Sequence, residues 1–270
     1  MLTRRLGIDN QTVFGMPPIE YVNLAADLGC SHIGASLVPV PWRLARFPDW
    51  SVRDNPGLRR DLLAVLRDRG ISLLQAEGFS VRPALDVDSY AADLDIFAQL
   101  GAVQASGVCM DRDRSRALDQ LTQLAQMTAD RGLRLMLEFA PPHAINTLAQ
   151  ALTALEEIGQ PNVRLVIDAM HFFRSGGEIA QLRALTSESI GYVQLCDVPR
   201  RPARADYFDE ACFQRLLPGE GELPLEAFCA ALPKDVPVGI ETPMRERAEQ
   251  ATSFHALLAP AVRAARHLLR

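Results

Sequence analysis

Eight times along this chain a short aliphatic or β-branched run is followed by a polar break and then by a longer segment with helical periodicity. No other feature restricts the fold as strongly. Strands are expected at 5–9, 32–36, 72–76, 103–108, 134–138, 164–168, 191–196 and 237–241. Several of the segments between them, such as NPGLRRDLLAVLRDRG and NTLAQALTALEEIG, open on Asp or Asn and close on Gly, as helix caps do. Repeated strand–helix units with short connections give parallel strands and right-handed crossovers, and eight of them in 270 residues predict a (β/α)8 TIM barrel forming a single domain over 1–270. A doubly wound open sheet is the alternative, but the first strand is followed by no GxGxxG and the chain carries no GxxxxGK[ST].

Charge and cysteine content narrow the function. A formal net charge of -5 speaks against a broad phosphate-backbone surface, so no nucleic-acid partner is expected. Arg200, Arg201 and Arg204 cluster locally, either as a solvated loop or as an anion contact. The five cysteines are scattered without CxxC spacing and are expected to be reduced and buried. With no signal-peptide pattern and no run of about 18 apolar residues, a cytoplasmic protein with no membrane partner is expected.

Chemistry concentrates at the ends of the last four expected strands: RLMLE stops at Glu138, LVID at Asp168, GYVQLCD contains Gln194, and VGIE stops at Glu241. One such acid is ordinarily a helix cap or an ion-pair partner. Three acids and an amide at the same end of consecutive strands converge on one barrel mouth, where unpaired carboxylates would cost several kcal/mol each. Their oxygens suit a hard divalent ion, Mn2+ or Mg2+ first, with Zn2+ and Co2+ as alternatives. Two long connections, 37–56 with Trp42 and Trp50 and 197–223 with the turn PGEGE, are placed to form the walls of that mouth.

The runs LEFAPPHAINTLAQAL, VIDAMHFF, YVQLCDVPRRP, PGEGELPLEAF and GIETP resemble the sugar phosphate isomerase/epimerase family, the xylose isomerase-like TIM barrels. Within it, LEF...NT and D-x-x-HF resemble inosose isomerase, while glutamine as third ligand and Q-x-x-D-V-P-x-R resemble hydroxypyruvate isomerase. The resemblance implies one divalent metal held by Glu138, Asp168, Gln194 and Glu241, with Glu138 and Glu241 also passing the substrate proton. It implies substrate contacts from His171 and, six residues past Gln194, from Arg200; by their positions alone, His143 in the Pro-Pro-His loop, Glu77 after the third expected strand and His32 on the second are further pocket candidates. The substrate expected is a small polyhydroxy keto compound: a keto sugar, a keto-inositol or a small hydroxy-keto compound. Isomerisation or epimerisation is the expected reaction, with dehydration on the same scaffold as the alternative. Ala144 stands where ketose 3-epimerases of this family carry a further glutamate, which argues against a free hexulose. A homodimer is the default assembly.

Overall fold

The computed structural model describes residues 5–202 and 206–270, so Arg204 of the arginine cluster lies outside the described residues. Eight strands pair in parallel in sequence order: β1 (Leu6–Ile8), β2 (His32–Ala35), β3 (Ser72–Val81), β4 (Gln104–Cys109), β5 (Arg134–Glu138), β6 (Val163–Asp168), β7 (Ile190–Leu195) and β8 (Val238–Ile240). Leu6 pairs with Val238 and Ile8 with Ile240, which closes the barrel and excludes the open sheet.

Around it lie α1 (Pro18–Asp27), α2 (Pro56–Arg69), α3 (Ala91–Gln99), α4 (Arg114–Ala129), α5 (Leu148–Ile158), α6 (Ala169–Arg174), α7 (Ile179–Arg183), α8 (Tyr207–Phe213), α9 (Leu225–Ala231), α10 (Arg245–Gln250) and α11 (Phe254–Leu268). Their boundaries follow the capping residues. Asn55 accepts a 3.0 Å bond from the Leu58 amide before Pro56 begins α2, and Gly70 ends it in the left-handed region at φ 64°. For α5 the cap is Thr147, which accepts from the Gln150 amide, rather than the expected Asn146.

Strand alternation separates two buried layers. Leu135, Leu137, Leu165, Ile167, Val193 and Leu195 join the main core between sheet and helices, while Met136, Val166 and Tyr192, with Leu74 against them, form a small cluster of their own. The same alternation puts Glu138 and Asp168, two residues beyond Met136 and Val166, on the inner face. Gln194, two beyond Tyr192, is level with Asp168 in the register and with Gly239 of β8.

The third strand differs most from expectation. It runs on to Val81 because the apolar pattern continues through Phe79 and Val81, and its pairing with β4 slips between Ala76 and Phe79, where Gly78 takes φ 113°. Glu77 therefore sits at an irregularity inside the strand rather than at its end.

Both long connections pack over the carboxyl end. Trp50 is a structural anchor, its indole donating 3.0 Å to the Gly15 carbonyl. Trp42 instead meets Phe208 and Phe213 edge-on at 5.3 and 5.7 Å, joining the first connection to α8 in the second.

Candidate active site

Glu138, Asp168, Glu241 and the Gln194 amide lie at neighbouring strand ends with Asp9 on the far side, and they are organised by a residue that no sequence motif marks, Arg215. The second long connection doubles back across the barrel rim. Leu216 exchanges backbone hydrogen bonds with Asp197 at 2.8 and 3.0 Å, Gln214 bridges Met244, and the Arg215 amide donates 3.1 Å to the Pro243 carbonyl. Asp197 stitches the PGEGE turn beneath it, accepting from the amides of Val198, Gly219 and Leu223.

So fixed, the Arg215 guanidinium is 2% exposed, with Nε on the Ala211 carbonyl at 2.8 Å and Nη1 between Asp168 Oδ2 at 2.6 Å and Glu241 Oε2 at 2.9 Å. The second oxygen of each acid is also engaged. Asp168 Oδ1 accepts from the His171 amide at 2.8 Å, and Glu241 Oε1 accepts from Gln194 Nε2 at 3.1 Å, leaving Gln194 Oε1 buried without a hydrogen-bond partner.

Glu138 faces His171, with 3.5 Å from Oε1 to Nε2, and His171 Nδ1 lies 2.6 Å from the Tyr207 hydroxyl. Burial pushes the His171 imidazole down to about 4 despite the attraction of Asp168, so the ring is neutral. In the tautomer in which the Tyr207 hydroxyl donates to Nδ1, the ring proton is on Nε2 and faces Glu138.

On the opposite side of the mouth Asp9, at the end of β1, accepts 2.6 Å from the Tyr192 hydroxyl, and Glu77 lies beside it. Gly34 and Gly239 make room for them, since a Cβ at Gly34 would strike Glu77 and Asp9, and one at Gly239 would strike Tyr192 and Asp9. Asp9 Oδ2 and Glu77 Oε1 are buried without a hydrogen-bond partner.

Burial dominates the electrostatics. It pushes Asp9 up to about 7 against the Tyr192 hydrogen bond, Glu138 up to about 8 with help from Asp168, and Glu77 and Glu241 well above the usual carboxylate range. Asp168 moves the other way. Burial raises it, but Arg215 and then His171 outweigh burial and hold it below its ordinary value.

The remaining expected residues fall outside this group. Arg200 is exposed on the rim; its amide donates 2.8 Å to Glu222 and its carbonyl accepts from Arg174. The guanidinium inside the site is that of Arg215, fifteen residues further along the chain. His143 lines a cleft of about 280 Å³ beside the barrel mouth with Cys109, Asp111 and Arg112, and burial lowers its imidazole. His32 is buried inside the barrel under Gly7, 5.9 Å edge-on to Tyr192. All five cysteines are buried free thiols, as expected.

Sequence signals for the missed residues exist. Asp9 ends LGID just as Asp168 ends LVID, and Arg215 is the lone charge in CFQRLLPG.

Whether these residues suit a divalent ion can be judged from their chemistry. Three carboxylates and an amide oxygen are hard donors, and because burial favours the protonated forms of Glu138 and Glu241, an ion held there would displace their protons. The donor set fits. The arrangement imposes a condition, because Arg215 and the Gln194 amide nitrogen use the oxygens of Asp168 and Glu241, and among the described residues no three His, Cys, Asp or Glu side chains are grouped to hold an ion.

A closed parallel barrel with its polar, pKa-perturbed cluster at the carboxyl ends of the strands is the layout of a TIM-barrel enzyme. The chain belongs to the xylose isomerase-like TIM barrel family, whose model matches residues 22–266. It is 28% identical over 187 residues to a 3-dehydroshikimate dehydratase of Pseudomonas aeruginosa, a match covering 64% of this chain and 29% of that protein. It is 30% identical over 121 residues to an inosose isomerase of Bacillus subtilis, covering 44% of this chain and 42% of that one. In both cases the chain matches less than half the length of the relative. Among solved structures, the IOLI protein with a bound zinc atom superposes with a TM-score of 0.77 at 20% identity, covering 98% of this chain and 96% of that one. No helix among the described residues is long and apolar enough to cross a membrane.

Proposed function

We propose that this chain is a divalent-metal-dependent isomerase or epimerase that moves a proton next to the carbonyl of a keto sugar, keto-inositol or small hydroxy-keto compound. The observation that carries this reading is a pair of buried glutamates, Glu138 and Glu241, on either side of the Asp168–Arg215 ion pair. Burial pushes both up, Glu138 to about 8, which places a proton exchange at Glu138 near neutral pH and favours the protonated form of Glu241. One glutamate removes the proton and the other returns it, and the substrate's stereochemistry decides which does which.

Glu138, Asp168, Gln194 and Glu241 would hold the ion, Mn2+ or Mg2+ by donor hardness and Zn2+ in view of the zinc atom bound by the IOLI protein. The chemistry such an ion supplies is positive charge to offset the oxyanion formed when the C–H bond beside a carbonyl breaks. His171, neutral and held by Tyr207, presents Nε2–H toward Glu138 and toward a substrate oxygen lying there. Trp42, Phe208 and Phe213 pack the two long connections against each other at the rim.

Incubation in deuterium oxide with a panel of keto sugars, keto-inositols and hydroxypyruvate tests the reading. Deuterium should enter at the carbon next to the carbonyl of one panel member, and this wash-in should vanish in Glu138→Gln. No exchange with any member would overturn it.

A second reading, dehydration, is supported by the match to 3-dehydroshikimate dehydratase, which covers more of this chain than the isomerase match does. It begins with the same proton abstraction and then expels a β-hydroxyl. A new ultraviolet-absorbing enone during turnover would favour it.

A further inference from the structure

We propose that Arg215 is a built-in cation that competes with the divalent ion for Asp168 and Glu241, so that the arginine sets how tightly this site takes metal. The inference rests on the metal-dependent reading above and concerns the regulation of that same site.

Three features support it. Nη1 lies within hydrogen-bond distance of one oxygen of each acid, 2.6 Å from Asp168 and 2.9 Å from Glu241, so a single donor nitrogen bridges two of the four residues expected to hold the ion. The remaining oxygens are also committed, to the His171 amide and to Gln194 Nε2. Gln194 turns its amide nitrogen, a donor, toward Glu241 while its oxygen is buried without a partner, which is the reverse of the orientation a ligand needs. An ion drawing on Asp168, Gln194 and Glu241 together must therefore displace Nη1 from at least one carboxylate and rotate the Gln194 amide.

The arginine is also not a chance surface neighbour. Backbone pairing on both sides, Leu216 with Asp197 and Gln214 with Met244, fixes its Cα, and the Ala211 carbonyl fixes Nε. Nη1 also touches the Glu241 carbonyl and Cys196 Sγ, so the guanidinium sits in a shaped socket. A guanidinium and a dication placed at the same pair of carboxylates repel each other in a poorly screened interior, and binding of either lowers the affinity of the other.

The test is Mn2+ affinity by titration calorimetry on the full chain stripped with EDTA, comparing wild type with Arg215→Met. The variant should bind Mn2+ at least tenfold more tightly, and its melting temperature should rise more on Mn2+ addition. Equal or weaker binding in the variant, with wild type binding normally, overturns the competition and leaves the metal-dependent reading intact. Binding by the variant but not by wild type supports the competition and defeats that reading. Binding by neither defeats both.

Should Arg215→Met fail to fold, Arg215→Gln, which keeps a hydrogen-bond donor without charge, is judged by the same criterion. Crystals of wild type soaked in Mn2+ give an independent check. Nη1 should have left Glu241 or Asp168, and both contacts persisting beside a bound ion would overturn the proposal.

Discussion

The two sides of the barrel mouth neutralise buried acids in different ways. On the β5–β8 side, Asp168 and Glu241 share the Arg215 guanidinium and are stitched further by the His171 amide and Gln194. On the β1–β3 side, Asp9 and Glu77 have the Tyr192 hydroxyl and room made by two glycines, but no contacting guanidinium or ammonium among the described residues. Burial raises acids on both sides, yet only Asp168, with the shortest bond to Arg215, ends below its ordinary value. Ionisation is thus enforced at one point and left adjustable around it, which suits a site that has to hold charge in one place and exchange protons in another.

The comparison is broken most severely at the proton-exchanging glutamates. Glu138→Gln and Glu241→Gln should each lower kcat by roughly 10²–10⁴-fold, the range of a positioned general acid or base. Circular dichroism should show the barrel intact, and wild-type turnover in either variant would refute the paired roles.

Removing the internal cation comes next. Arg215→Met leaves Asp168 and Glu241 buried against each other and should cost about 3–5 kcal/mol of stability in EDTA by urea titration. A loss below about 1 kcal/mol would mean that the ion pair does not govern this half of the mouth.

A third test lies below the mouth, at His32. Burial lowers its imidazole to about 4 from an unfolded value of 6.5, so the unfolded chain takes up the proton first as pH falls. Its contribution is present in full above about 6.5 and is lost progressively toward 4, amounting to about 3 kcal/mol at pH 4. Stability measured from pH 7 to 4 should fall less in His32→Gln, and parallel curves would show that His32 is not the group responsible.

The smallest effect is expected where an acid has no countercharge. Asp9 is raised to about 7, so folding opposes its ionisation, and its contribution is present at low pH and lost as pH rises through 7. The loss begins above the unfolded value of 3.8, so Asp9→Asn, which keeps an oxygen for Tyr192, should gain on wild type progressively from pH 4 to pH 8, ending about 1–2 kcal/mol more stable at pH 8. Destabilisation at pH 8 would show that the uncompensated side is better neutralised than its contacts indicate.

The contrast between the two sides also marks what the sequence could reveal. Strand ends were readable because period-two alternation is a local signal, and RLMLE matches β5 residue for residue. The convergence of Glu138, Asp168, Gln194 and Glu241 followed from barrel closure alone. Arg215 was not readable, because its place depends on a loop doubling back to pair with residues nineteen and thirty positions away, Asp197 with Leu216 and Gln214 with Met244. Such pairing leaves no periodicity. Arg200 drew attention instead because motif spacing is legible and burial in an irregular loop is not. Glu77 lies just past the expected end of the third strand, but the irregularity at Gly78 lets the strand run on to Val81.

The doubling-back strip that carries Arg215 has a mechanical meaning too. With only three residues, β8 is among the shortest staves of the barrel, and the strip lengthens it by fastening onto Pro243 and Met244 just beyond its end. The same few amides that clasp this seam hold the arginine at its station. Fraying at the seam and a change of charge in the mouth are therefore one event, and slow amide exchange at Arg215 and Leu216 would report both at once.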